Sequence, residues 1–200
     1  MKVKLYVEGG GDSRAIKTRC REGFARLLEK AGFEGRMPRI VACGKREAAF
    51  SDFETALKCA APDEYPLLLV DSEAEVAGAD LWAHLKKLDG WDKPGNAEDD
   101  QLHLMVQCME TWIVADRDAV EHFFGQDFNK GALPPVNDLE KRPKDDVQAA
   151  LENATRRCGR DREYRKGKRS FQLLGQLDPE TLKKLLPHFS LFCECLNNKL

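Results

Sequence analysis

Three acids and a run of glycines are the residues in this chain whose types and spacing point to chemistry. Glu8 ends the stretch Lys2-Val3-Lys4-Leu5-Tyr6-Val7, and Gly9, Gly10 and Gly11 follow at once. Asp71 ends the apolar run Pro66-Leu67-Leu68-Leu69-Val70, and Glu73 stands two residues on, on the same side as Asp71 in an extended chain. Glycine-rich turns after a strand suit phosphates, but a Walker loop needs a terminal Gly-Lys-Ser/Thr that is missing here. A dinucleotide fingerprint needs a glycine where Arg14 stands. Glu8 would repel a bare phosphate, and a divalent cation between the two turns that repulsion into attraction. If Glu8, Asp71 and Glu73 meet, they cannot all be ionised without a counter-charge, and bound Mg²⁺ or Mn²⁺ is the economical one. The competing reading makes Asp71 a cap for the following helix and leaves Glu73 in solvent.

Bringing these groups together takes a parallel sheet. Val3, Leu5 and Val7 share one face of a first strand, with Lys2, Lys4 and Tyr6 on the other. Ser13 then caps a helix whose apolar positions are Ile16, Cys20, Phe24, Leu27, Leu28 and Ala31, stopped by Gly32. A second strand over Met37–Cys43 leads through Gly44, Lys45 and Arg46 into a helix over residues 47 to 60. The run ending at Val70 has the continuous apolar character of a central strand covered on both faces. A β-α-β-α-β order builds a parallel sheet through right-handed crossovers. Glu8 and Asp71 then fall at the carboxyl ends of strands, where open α/β sheets bind ligands.

Further along, Leu81, Trp82, Leu85 and Leu88 mark a helix, residues 89 to 100 a polar loop, and Leu102–Cys108 a fourth strand. Glu110 just beyond is a candidate for an additional metal-binding acid, and Gln107 could orient substrate. A helix starting at Trp112, a helical pattern over 116 to 130 broken by Gly125, and a proline-rich connection over 131 to 146 follow. A short helix covers Val147–Thr155, and Asp178-Pro179-Glu180 opens a C-terminal helical segment with an apolar face for the sheet or a partner. Residues 1–130 therefore read as an α/β core and 131–200 as a basic loop and helical extension packed on it.

Arg14, Lys17 and Arg21 share a helix face that starts beside Glu8 and could meet phosphates. Residues 156 to 169 hold eight basic and two acidic side chains, a local charge of +6 with Tyr164 among them. Such a cluster is an electrostatic footprint for nucleic-acid phosphates or simply a solvated loop, and it reads no bases.

The sequence patterns VEGGGD, LLVDSEA, HLMVQCMETW and YRKGKRSF together resemble an uncharacterised bacterial Toprim-like family. The first two resemble the Toprim signature of topoisomerases, primases and a group of nucleases: a strand ending in Glu-Gly, then one ending in paired acids. The resemblance implies a Toprim-like (Rossmann-like), mostly parallel four-stranded sheet flanked by helices, Mg²⁺ held by acids, and phosphodiester chemistry on DNA or RNA. It makes Glu8 the general acid/base and Asp71 and Glu73 the metal-binding pair. It also favours a phosphate role for Arg165, Lys166, Lys168 and Ser170, with Lys168 placed to neutralise the scissile group, beside Gly9, Gly10, Gly11 and Arg14, which the glycine turn and the helix face already make candidates for phosphate. Two departures are Glu73 where Asp is usual, and Glu75 in place of a further Asp. Some Toprim nucleases act beside an ABC-type ATPase in phage defence, so such a partner is implied too. A metal- or nucleotide-binding module without turnover, and a structural subunit, are the alternatives.

Composition sets the outer limits. With 42% apolar and 33% charged residues the chain is expected to be globular, and no apolar run approaches the roughly 20 residues of a membrane span. A strand starting at residue 2 leaves no room for a signal peptide, and seven scattered cysteines suit reduced thiols, so a cytoplasmic protein is expected. No zinc-site or HExxH spacing is present, and no Gly-x-Ser-x-Gly elbow.

Overall fold

The structure is a computed structural model and describes residues 1–159 and 162–200, with the backbone but not the side chain of Lys168. Four strands form one all-parallel sheet: β1 (Lys2–Gly10), β2 (Arg39–Gly44), β3 (Glu64–Asp71) and β4 (Leu102–Met105), in the order β2-β1-β3-β4. The first strand and the strand ending at Asp71 are hydrogen-bonded neighbours, with Leu5 opposite Leu67 and Val7 opposite Leu69. Asp71 lies opposite Met105 on the other side.

Side-chain alternation sorts the sheet into two cores. Leu67 and Leu69, with Val3, Leu5 and Val7, face one apolar cluster, while Leu68 and Val70, with Tyr6, face the other. The second cluster is covered by α2 (Arg46–Cys59) and α3 (Leu81–Asp89), through Ala49, Phe53, Leu57, Trp82 and Leu85. The first is covered by α1 (Arg14–Leu28), α4 (Met109–Ala115), α5 (Arg117–Phe124), α6 (Lys144–Thr155), α7 (Lys168–Leu174), α8 (Pro179–Leu185) and α9 (Pro187–Lys199). The apolar face of α8 and α9 is spent on this core: Phe189 lies 4.8 Å from the Trp112 ring, and Phe192 lies 5.5 Å from His103 on β4.

Several boundaries differ from the sequence reading. The fourth strand stops at Met105 rather than Cys108, and the next helix begins at Met109 rather than Trp112. β4 stops where its ladder with β3 runs out, at Asp71 opposite Met105, and the Met109 amide donates to Asp71 Oδ1 at 2.8 Å, so a carboxylate from the sheet takes up an amide that a helix start leaves free. Within 116 to 130 the helix forms over Arg117–Phe124 and ends at Gly125, the stop the sequence reading named, and α6 starts three residues early, at Lys144. Gly32 has φ 96°, and it lies in a π turn, Glu29–Phe33, that extends α1. Among the described residues no helix is long and apolar enough to cross a membrane.

Candidate active site

Glu8, Asp71 and Glu73 converge. One carboxylate oxygen from each lies within 4.8 Å of the others, at the carboxyl end of β1 and β3. Parallel pairing delivers Glu8 beside Asp71, and the Asp71 amide donates to Glu8 Oε2 at 3.2 Å. Glu73 arrives differently from the extended path the sequence suggests. β3 ends at Asp71, and Glu73 takes a left-handed φ of 61° while its amide donates to the Gln107 carbonyl at 2.9 Å. The tight turn, not strand alternation, aims Glu73 at the other two.

Two cations that the sequence reading did not select hold the acids. Arg46, at the start of α2, reaches Glu8 Oε2 at 3.4 Å and donates to the Asp71 carbonyl. Asp89 fixes its guanidinium through bonds of 3.0 and 2.7 Å, and the Trp91 ring, stacked on Phe50 at 4.4 Å, lies 5.0 Å away. Lys144 places its ammonium 2.6 Å from both oxygens of Glu73. Its own amide donates to Gln107 Oε1 at 3.2 Å, so Gln107 secures the start of α6. Arg46 follows the second strand at the same sheet end, which was a usable signal. Lys144 lay in a stretch read as loop, and nothing local marked it.

Among the described residues no cation lies directly on the Asp71 carboxylate. Burial pushes its carboxyl well above the ordinary range, and the Glu8 and Glu110 charges push the same way. Glu8 is raised as well, chiefly by burial, although Arg46 and the Asp71 amide oppose the shift. The Met109 amide engages only Oδ1 of Asp71. Three hard oxygen donors, one of them buried and crowded, are a donor set that suits Mg²⁺ or Mn²⁺.

Glu110 is fully buried at the same end of the sheet but outside this trio. Its Oε1 accepts from the Tyr164 hydroxyl at 2.7 Å, while Oε2 has no hydrogen-bond partner among the described residues and faces Lys166 Nζ at 4.0 Å. Burial, then Glu110, push the Tyr164 hydroxyl far above its usual range, so Tyr164 is a neutral donor. Tyr164 thus holds Glu110 and is not a free ring for stacking on bases.

A cavity of about 420 Å³ opens beside Glu8 and Asp71. Gly9, Gly10, Gly11, Lys166, Gly167 and Ser170 line it, so the first and last sequence motifs share one space. Gly9, Gly10 and Gly11 all have positive φ, and a Cβ on Gly10 would meet Lys17 Cα at 2.8 Å. Ser170 is buried and bonded to both the amide and the carbonyl of Gly167, at 2.9 and 2.7 Å, so it shapes the loop. Arg165 is largely exposed and lies 3.9 Å from Glu163. Arg14 is exposed and sits on a separate shallow surface with Arg19 and Glu22. Arg21 donates to Thr18, and Lys17 donates to the Cys43 carbonyl at 3.0 Å. The Lys168 side chain and the Arg160–Asp161 part of the basic stretch lie outside the described residues. The thiols of Cys20, Cys43, Cys108 and Cys193 are pushed up to about 12 by burial, which makes them poor nucleophiles at neutral pH.

The chain belongs to a family described as a domain of unknown function (DUF4276), whose model matches residues 7–197. No curated protein and no solved structure matches it.

Proposed function

We propose that the protein is a Mg²⁺- or Mn²⁺-dependent phosphodiester-cleaving enzyme of Toprim type that acts on DNA or RNA. The observation that carries this reading is the meeting of Glu8, Asp71 and Glu73 within 4.8 Å, with Asp71 buried. Asp71 and Glu73 would hold the cation, and Glu8 would share it. A divalent cation there supplies charge neutralisation at a phosphate oxygen and a more acidic water.

The chain's own groups divide the remaining work. Glu8, raised above the ordinary carboxyl range and steadied by Arg46, can take or return a proton at the attacking water or the leaving oxygen. Lys166, with more than half of its side chain in solvent, is placed to hold a phosphate at the cavity. Arg165 and the neighbouring basic residues extend that positive surface for a longer strand. An ABC-type ATPase partner belongs to the same proposal and rests on the resemblance alone.

Purified protein incubated with plasmid DNA and total RNA in Mg²⁺ or Mn²⁺ is expected to cleave at least one polymer. Asp71→Asn should abolish that cleavage. Undiminished cleavage by the variant would remove the reading. One observation favours a second reading, in which the protein binds a nucleotide or nucleic acid without cutting it. Arg46 and Lys144 already neutralise Glu8 and Glu73, so the site holds together without an ion. Retained nucleic-acid binding in EDTA, with no turnover in any metal, would select it.

A further inference from the structure

The cavity beside the carboxylates has walls that do not suit a phosphate. Ile16, Met105, Met109 and Phe171 give it an apolar lining, and glycine backbone forms much of the rest. A phosphate pressed against such a wall loses water and gains no hydrogen bond. A flat aromatic group gains from the same wall, because thioether sulfur and a phenyl ring are favourable neighbours for a π face. At about 420 Å³ the space falls in the ~300–1,000 Å³ range of small-ligand sites, room for one planar group with its sugar.

The apolar wall is tied to the carboxylates by the backbone. Met105 is the register partner of Asp71, and the Met109 amide is hydrogen-bonded to the Asp71 carboxylate. A group resting on these two methionines therefore lies next to the acids. Lys166 and Gly167 complete the lining, with the Lys166 ammonium partly in solvent. A planar apolar seat, two acids of the carboxylate trio (Glu8 and Asp71) and a basic side chain in one cavity match the three parts of a nucleotide. A base inside a duplex is paired and stacked and cannot enter such a slot without being flipped out.

We propose that this cavity receives a single unpaired nucleotide, its base against Met105, Met109 and Phe171 and its phosphate between the carboxylate trio and Lys166. The preferred substrate is then a single strand or a frayed strand end, not the interior of a duplex. This inference rests on the phosphodiesterase reading for its chemistry, but its binding half can be measured separately.

The test uses Ile16→Trp, which puts an indole into the cavity from a half-buried position on α1 and leaves the acids untouched. Circular dichroism and the Mn²⁺-dependent melting shift check that the variant is folded and keeps its metal site. Rates are compared on a short labelled single strand and on the same sequence as a blunt duplex. Adenosine and thymidine 5′-monophosphates are titrated in Mn²⁺ by calorimetry. The wild type is expected to favour the single strand, and Ile16→Trp to lose about tenfold or more on it, the scale of one lost stacking contact. Monophosphate binding that is also lost in the variant would identify free nucleotides as ligands. Binding of the strand alone would identify a polymer substrate. Equal rates on strand and duplex, or a folded Ile16→Trp that cleaves the strand like the wild type, would overturn the proposal. If neither polymer is cleaved, the phosphodiesterase reading fails while the cavity is still judged by binding: nucleotide or strand binding lost in Ile16→Trp supports it, and no binding overturns it. A second filling variant, Met109→Phe, replaces Ile16→Trp if the latter does not fold.

Discussion

Asp71 puts a carboxylate where there is almost no water, beside two other acids, with the Met109 amide as its direct partner among the described residues. Its folded-state pKa is raised, so the folded protein holds a proton at pH values where the unfolded chain has released it. That stability is fully present below the unfolded value and is lost as pH rises through the folded one. Asp71→Asn is neutral throughout and still accepts from the Met109 amide. It is expected to raise the melting temperature of metal-free protein at neutral pH by a few degrees, on the order of 1 kcal/mol, and to flatten the loss of stability toward neutral pH. A lower melting temperature would show that the acid is stabilising as it stands. His103 provides the opposite slope. Burial drives its pKa down to about 4, and its Nε2 has no hydrogen-bond partner. Below the ordinary histidine range the unfolded chain takes the proton first, so stability falls as pH drops toward 4, by roughly 3 kcal/mol at most. His103→Gln should remove most of that fall in denaturant midpoints measured at neutral and mildly acidic pH. At this scale the acids were legible because Glu8 and Asp71 close the apolar runs of their strands and Glu73 stands two residues beyond Asp71. Arg46 was marked only by following the second strand at the same sheet end, and Lys144 was not legible, because its partner Glu73 lies 71 residues away in the chain.

Helix α7 is where the last motif meets the first. It packs so closely on α1 that a Cβ on Gly23 would collide with the Phe171 carbonyl, and the Phe171 ring fills the space beside Gly9. Gly23→Ala gains up to about 1 kcal/mol of helix propensity, but overpacking costs about 1–3 kcal/mol. The variant is expected to melt lower and to bind nucleotides more weakly as Phe171 moves. A higher melting temperature would contradict the close approach of the two helices. The strand-helix order was readable from periodicity and from the acids and glycines at the strand ends. The ends of β4 and α4 were not readable, because an Asp71 oxygen from another strand decides where α4 begins. The same limit hid the turn at Glu73, whose φ of 61° no local pattern announces in a non-glycine residue.

One apolar cluster runs from Val3 on the first strand to Leu196 on the last helix. Trp112 illustrates the continuity: it touches Phe24 of α1 at 6.3 Å and Phe189 of α9 at 4.8 Å. The C-terminal helices therefore form one wall of the core, so the face read as cover for the sheet or a partner covers the sheet. A fragment of residues 1–130 would leave that wall open, exposing one face of β1 and β3 to water. It is expected to lack near-ultraviolet circular dichroism and cooperative melting, whereas independent folding would contradict the single core. The parallel sheet followed from the β-α-β-α-β order and the hand of the crossovers, while the strand order β2-β1-β3-β4 did not. The long-range arrangement of α5 to α9 did not, since helices joined by irregular segments carry no comparable rule.

The central claim is that Glu8, Asp71 and Glu73 hold a divalent cation, and metal-dependent melting tests it most directly. Apo protein is melted in EDTA and in increasing Mn²⁺, beside Glu8→Gln and Asp71→Asn. Ion at about a hundred times its dissociation constant adds roughly 2.7 kcal/mol, which for a chain of this size is a rise of about 5–10 °C. The account predicts that rise in the wild type and its loss in both variants. An equal rise in Asp71→Asn, or none in the wild type, would contradict it.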